Sequence, residues 1–275
     1  MSLHLNGNTI GDLYVGGTKV GEAWLNGQKV YSSAPPFVGI KYIFRDIDAN
    51  GNLTLATGAL EDASEITQIG DYGLSYAFYN CKGLTGSAPF LNLTSIGERG
   101  LDRAFSGCSG LTGSVSFPNL TSIGEYGLIN AFENCSGLTG SVSFPKLTSI
   151  DRGGLGSTFK NCSGLTGSVS FPKLSTVDGL GGAFSGCTGI TGISFPKLTS
   201  IEMFGFQSTF SGCTGLTGSI SFPNLTSVSP AGLNNTFSGC TGLTEIHFKS
   251  SLSGNSECTA SNMGCPNATV YFDLP

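Results

Sequence analysis

Charge is scarce in this sequence. Asp, Glu, Lys and Arg together make up 11% of its 275 residues, against roughly 25% in ordinary soluble domains. With 13 Lys and Arg and a formal net charge of −5, it lacks the basic footprint of a protein that binds nucleic acid or an anionic membrane. Its two histidines, His4 and His247, lie at opposite ends, and no C-x-x-C pair occurs. That excludes the usual zinc spacings. No apolar run reaches the roughly 18–20 residues needed to cross a bilayer, so no membrane insertion is expected. The opening "MSLHLNGNTIGDLYVGG" has neither a cationic start nor an apolar core, so no secretory signal is visible. The closing "ATVYFDLP" shows no sorting or lipidation pattern.

Glycine (42 residues), phenylalanine (19) and cysteine (9) are abundant instead. The cysteines reveal a period. Cys81, Cys108, Cys135, Cys162, Cys187, Cys213 and Cys240 follow one another at steps of 27, 27, 27, 25, 26 and 27. Between them recur L-T-S-I, a divergent glycine-containing stretch, [AT]-F-x-[GN]-C, G-[LI]-T-G and S-x-S-F-P. A repeat of about 20–29 residues with short strands predicts a stacked solenoid of leucine-rich type.

One unit can be read physically. In "SVSFP", Val115 and Phe117 alternate with Ser114 and Ser116, the sign of a strand with one buried face. Leu120 and Ile123 of "LTSI" form a second inward segment. In "EYGLINAFENC", Leu128, Ala131, Phe132 and Cys135 have the spacing of one face of a short helical turn. Gly137 then falls where a helix end favours positive φ. The cysteines therefore point inward and form a ladder of buried free thiols. In-register neighbours point parallel, which disfavours disulfides between coils, and metal is disfavoured by the missing ligand spacings. Cys258 and Cys265 lie beyond the last repeat, where a disulfide and two free thiols are both open. Nine cysteines cannot all pair within one chain.

The unit "LTSIGEYGLINAFENCSGLTGSVSFPN" resembles the BspA-type leucine-rich repeat, L-T-S-I-G-x-x-A-F-x-x-C-x-x-L-x-x-I-x-I-P. The likeness covers roughly residues 66–250 and recurs seven times. It departs from the pattern by the inserted Glu125 to Asn130 and by a second glycine after L-T. The resemblance implies a surface protein that binds rather than catalyses. The fold expected is an α/β solenoid: a right-handed stack of about seven coils, each 25–27 residues long.

A smaller repeat precedes it. "LHLNGNTIG", "LYVGGTKVG" and "AWLNGQKVY" start at Leu3, Leu13 and Ala23, each with N-G or G-G between apolar flanks, a hairpin signal. Three tiny hairpins bury too little to stand alone, so residues 1–31 are expected to oligomerise or dock. This pattern resembles modules at the start of phage and prophage structural proteins from gut bacteria. Residues 32–36 read as a linker, 37–65 as an N-terminal cap, 66–250 as the solenoid and 251–275 as a C-terminal cap. Within the first cap, "VGIKYIF" and "LTLAT" suggest a hairpin around "DIDANGN". Asp46, Asp48 and Asn50 match the start of a calcium loop. Thr57, however, stands where a bidentate glutamate is required, and a polar turn is the simpler reading.

No catalytic set emerges, and no cofactor is implied. The serines are too numerous to single one out. His247, on the outward face of "EIHF", reads as a solvated edge residue with no carboxylate at a triad-like position. Divergence concentrates after L-T-S-I, which supplies Tyr72, Tyr76, Arg99, Arg103, Tyr126, Arg152, Met203 and Phe204, residue types that anchor interfaces. Phe206, in a leucine position, reads as core. The sequence thus predicts a non-enzymatic adhesion protein, virion-associated, whose solenoid recognises a cell-surface glycan or protein. Residues 1–31 would contact other virion proteins or make homo-oligomers. The alternative is a bacterial surface adhesin. A more distant one is an ice-binding solenoid, although such faces favour threonine and this one carries serine. Localisation follows as virion or cell surface.

Overall fold

A computed structural model describes residues 66–87 and 90–275 in full. For earlier residues it describes only the backbone pairing of short strands. His4–Leu5 pairs antiparallel with Asn8–Thr9, and Tyr14–Val15 with Thr18–Lys19. The third unit from Ala23 and the linker at 32–36 lie outside the described residues. Arg45–Ile47 pairs antiparallel with Leu53–Leu55, setting Asp46 opposite Thr54. Asp48 and Asn50, the other calcium candidates, lie outside the described residues. Gly58–Ala59 then pairs in parallel with Leu84–Thr85, so parallel stacking begins before residue 66.

From there the chain is a parallel β-solenoid, its coils counted here by their cysteines. The L-T-S-I segments stack as two-residue rungs, Gln68–Ile69, Ser95–Ile96, Ser122–Ile123 and Ser149–Ile150 in one sheet. Thr176–Val177, Ser200–Ile201 and Ser227–Val228 form the next. The second column is built from longer strands, Gly140–Ser143, Leu165–Ser170 and Gly189–Ser194, then Thr217–Ser221, Gly242–Lys249 and Thr269–Leu274. Val142, Val169 and Ile193 fall in register facing the core, while the flanking serines face out. Both short repeats have an identified cause. Coil 5 lacks two residues between Val177 and Leu180 and one more at "TGIS"; Val169 and Ile193 still pair in register.

Phenylalanine fills the interior in two columns. Phe78, Phe105, Phe132, Phe159, Phe184, Phe210 and Phe237 stack at centroid separations of 5.1–6.0 Å. Phe90, Phe117, Phe144, Phe171 and Phe195 form the other, at 5.0–5.7 Å. Buried Phe206 wedges between Phe195 and Phe222. Each such side chain is worth about 1.5–3 kcal/mol of burial.

The short helical turn is not what the structure contains. Among the described residues there is no α-helix, only a 3-10 turn at Ser250–Leu252. The segment before each cysteine is a run of overlapping turns in which alternate amides have different partners. In coil 3, Gly127, Ile129, Ala131 and Cys135 donate three residues back, to Gly124, Tyr126, Leu128 and Phe132. Tyr126, Leu128, Asn130, Phe132 and Asn134 donate instead to the next coil, to Arg152, Gly154, Gly156, Thr158 and Lys160, at 2.7–3.0 Å. An α-helix spends its amides on its own carbonyls; this arrangement diverts half of them into the stack. It requires every fourth residue to take positive φ, as at Tyr126, Asn130 and Asn134.

The cysteines are all buried and in no disulfide, and they do more than fill space. The Sγ of Cys108, Cys135, Cys162, Cys187, Cys213 and Cys240 donates to the carbonyl of Phe78, Phe105, Phe132, Phe159, Phe184 and Phe210, one coil back, at 2.9–3.1 Å. Burial pushes the thiols of Cys135, Cys187 and Cys240 up to about 12, so they remain protonated donors at neutral pH. Thr94, Thr121 and Thr148 bridge coils in the same way through Thr67, Thr94 and Thr121 carbonyls.

The C-terminal segment is not merely a polar cap. Thr269–Leu274 pairs in parallel with Gly242–Lys249, and Phe237 donates to Met263 as each such phenylalanine does to the following coil. An eighth coil results. Cys265 lies close enough to Cys240 to act on its ionisation. Cys258 and Cys265 are both buried and unpaired, so the disulfide alternative is not realised.

Gly137 also differs from its expected role. It is absent from the positive-φ residues, but a Cβ there would lie 2.4 Å from the Leu111 carbonyl oxygen and 2.8 Å from that of Ser109. It is glycine because backbone passes against backbone. Gly137→Ala is expected to lower unfolding free energy by more than ~2 kcal/mol, read as a drop in urea midpoint with unchanged slope.

Candidate functional site

The overlapping turns form a ridge along one side of the stack, and their positive-φ positions align into columns. The column nearest each cysteine holds Asn80, Gly107, Asn134, Asn161, Gly186, Gly212 and Gly239, residues that tolerate this conformation. The column farthest from it holds Tyr72, Arg99, Tyr126, Gly153, Phe204 and Ala231, and coil 5 contributes none. The middle one begins with Tyr76 and Arg103. Left-handed backbone at a bulky residue costs roughly 1–3 kcal/mol, so stability alone would favour glycine or asparagine at these places.

Five of the eight candidates come together on coils 1–3. The Tyr72 hydroxyl donates to Glu98 at 2.8 Å, and that bond pushes the Tyr72 phenol above its ordinary range. The Arg99 guanidinium lies 4.8 Å over the Tyr126 ring. Arg103 lies 5.5 Å over the Tyr76 ring and donates to the Tyr76 hydroxyl at 3.0 Å. Both arginines also donate to Asp102 at 3.0 Å, whose side chain is only 4% exposed. Tyr126 leans onto Gly153, where a Cβ would be 2.6 Å from its ring. Stacked in this way, Tyr and Arg present flat faces with little rotamer freedom left to lose on binding.

The other three stand apart. Arg152 is exposed on coil 4, and Met203 and Phe204 project from coil 6, 53% and 50% exposed. Asp102 and Glu98 are the residues that sequence reading missed. Their signal was present in "ERGLDR", where arginine, aspartate and arginine share a single turn. The copies at Asp102's position in other coils carry Ser75, Ile129, Gly156, Gly181, Gln207 and Asn234, so periodicity gave it no weight.

His247 requires a correction. It stacks on Tyr271 at 4.9 Å, with Nδ1 3.0 Å from both Asp273 oxygens and Nε2 3.4 Å from Glu245. Carboxylates do approach it, because Thr269–Leu274 runs parallel beside its strand and brings in Asp273 from 26 residues away. Nε2 meets a carboxylate, not a hydroxyl, so the arrangement is an ionic clasp on the eighth coil.

Two outcomes follow from these contacts. Asp102→Asn should cost about 1–2 kcal/mol in chemical denaturation, because two arginines lose a buried counter-charge while remaining partly hydrated. For His247, the Asp273 bond raises the folded-state pKa above the ordinary imidazole value. Its contribution is therefore complete below about pH 6.5 and fades as pH rises through the elevated folded value. Subtracting the stability of His247→Gln from that of the parent, from about pH 5 to pH 9, should leave a difference that shrinks towards alkaline pH.

A family model agrees with the repeat. The model for "BspA type Leucine rich repeat region" matches in six copies, over residues 67–217 and 207–270. No curated protein matches the chain. Among solved structures, a leucine rich repeat protein of T. pallidum is 18% identical, with 86% of this chain and 99% of that chain covered and a TM-score of 0.44. One from Bacteroides ovatus is 20% identical, covering 98% and 75%, with a TM-score of 0.39. A leucine rich cell surface protein from Faecalibacterium prausnitzii is 16% identical, covering 88% and 95%, with a TM-score of 0.29. Matched by the family model over most of its length, the chain belongs to the BspA type leucine rich repeat family.

Proposed function

We propose that this protein is a non-enzymatic adhesin that recognises a cell-surface glycan or protein through the turn ridge of its solenoid, and that residues 1–31 attach it to a virion or to further copies of itself. The observation that carries this reading is the Tyr72–Arg99–Tyr126 and Tyr76–Arg103 array. Bulky side chains occupy backbone positions that would be less strained with glycine, and they are locked by cation–π contacts and by Asp102. Strain kept at a preorganised aromatic surface, here with Tyr72 exposed and the other four residues half-buried, is characteristic of recognition. The serine face supports no such role. It is regular, outward-facing and polar, as solubility requires.

Labelled full-length protein should bind intact bacterial cells saturably, and Tyr76→Ala with Arg103→Ala should weaken that binding by at least about ten-fold. Ser141→Ala with Ser143→Ala on the sheet face should leave it unchanged. Equal loss from both pairs, or none from the ridge pair, would contradict the assignment of the face. In the same preparation, light scattering should give a multiple of 28.3 kDa; a monomer would remove self-assembly and favour a plain bacterial surface adhesin.

A further inference from the structure

Coil 5 interrupts the ridge. Four residues separate Ile150 from Leu155 in coil 4 and Ile201 from Phe206 in coil 6, but only Asp178 and Gly179 separate Val177 from Leu180. The hydrogen bonds show the shortfall directly. Gly153 and Leu155 donate to Asp178 and Gly179, and Leu180 donates to Gly205. Coil 5 therefore lacks the residue pair that carries Arg152–Gly153 on one side and Met203–Phe204 on the other. The result is a notch one coil wide, with about 10 Å between the backbones of the flanking coils.

Its walls are unlike each other. The coil 6 wall is apolar and exposed, formed by Met203 and Phe204, with Phe204 held at φ +62°. The floor and rims carry Asp178, Asp151 and Glu202, the last also accepting a hydrogen bond from Ser229 of coil 7 at 3.3 Å, and burial, then Glu202 and Asp151, raise the Asp178 carboxyl, with Arg152 acting the other way. Three carboxylates against one arginine leave the notch negative. They sit on successive coils and do not converge: among the described residues no three such groups come together to hold a metal ion. A long side chain with a cationic end matches this layout, its methylenes against Met203, its charge near the Phe204 ring and the Asp178 and Glu202 carboxylates.

We propose that the notch between coils 4 and 6 is a subsite for a lysine or arginine side chain projecting from a protein partner. This rests on reading the ridge as a binding face, and it narrows the ligand at this point from glycan or protein to a basic protein segment.

The test uses 15N-labelled full-length protein and acetyl-Gly-Lys-Gly-amide, followed by backbone amide shifts. The lysine peptide should move Asp178, Gly179, Met203, Phe204 and Gly205 together, with millimolar affinity. Acetyl-Gly-Gln-Gly-amide and methyl glucoside should not. Asp178→Asn should weaken the effect at least about five-fold, and Phe204→Ala should also weaken it, each variant keeping the parent's remaining spectrum. Shifts scattered over the surface, equal shifts with the glutamine peptide, or a stronger response to the sugar would each overturn the subsite. Failure of the wider reading is seen separately: absence of cell binding by the parent removes the adhesin, whereas cell binding that Asp178→Asn with Phe204→Ala leaves intact removes the notch alone.

Discussion

Everything in this solenoid depends on how the amides of one coil find partners in the next. In the overlapping turns half of the backbone donors close the turn and the other half cross to the following coil. The coils must therefore stack in strict register, which brings the two phenylalanine columns to ring contact and puts each cysteine thiol opposite a phenylalanine carbonyl. It also leaves no room for a side chain where Gly110, Gly137, Gly164 and Gly215 pass the carbonyls of the preceding coil. Little charge is needed to hold such a stack. Threonine hydroxyls, thiols and amides supply the cross-coil bonds, which accounts for a composition rich in small polar residues and poor in ions.

The same ladder supports the proposal that recognition belongs on the ridge. Its conformation is fixed from two sides, so a tyrosine or arginine can be held at positive φ without the turn relaxing. The sheet face offers the opposite: flat serine rows repeated almost unchanged. Where the ladder skips, at coil 5, the ridge opens into a notch whose chemistry comes from the coils on either side. Rigidity and local variety thus arise from a single device.

The fold was legible because its signals are periodic. The cysteine steps, the Val115 and Phe117 alternation and the L-T-S-I rungs each recur in sequence, and each recurs in the structure as a stacked column. The turn segment was misread as helical because Leu128, Ala131, Phe132 and Cys135 do share a face at helical spacing. What distinguishes stacked turns from a helix is the destination of each amide, which residue type does not record; only the repeated Asn or Gly before each cysteine hinted at left-handed backbone. The eighth coil was hidden because Met263 and the shortened approach to Cys265 blur the repeat. Around the ridge, sequence named the tyrosines and arginines as variable positions. The Tyr72–Glu98, Tyr76–Arg103 and Arg99–Tyr126 contacts, and the approach of Asp273 to His247, depend on which residues lie 26 or 27 positions apart on neighbouring coils, whereas Asp102 meets both arginines within its own turn.

Native-state hydrogen exchange of coil 3 tests the cross-coil ladder most directly. Tyr126, Leu128, Asn130, Phe132 and Asn134 donate across coils, and Gly127, Ile129, Ala131 and Cys135 donate within one. If the ladder carries the fold, both sets exchange with the same protection, near the free energy of global unfolding. Protection of the within-coil set alone, with the cross-coil set exchanging as an open surface loop does, would contradict it.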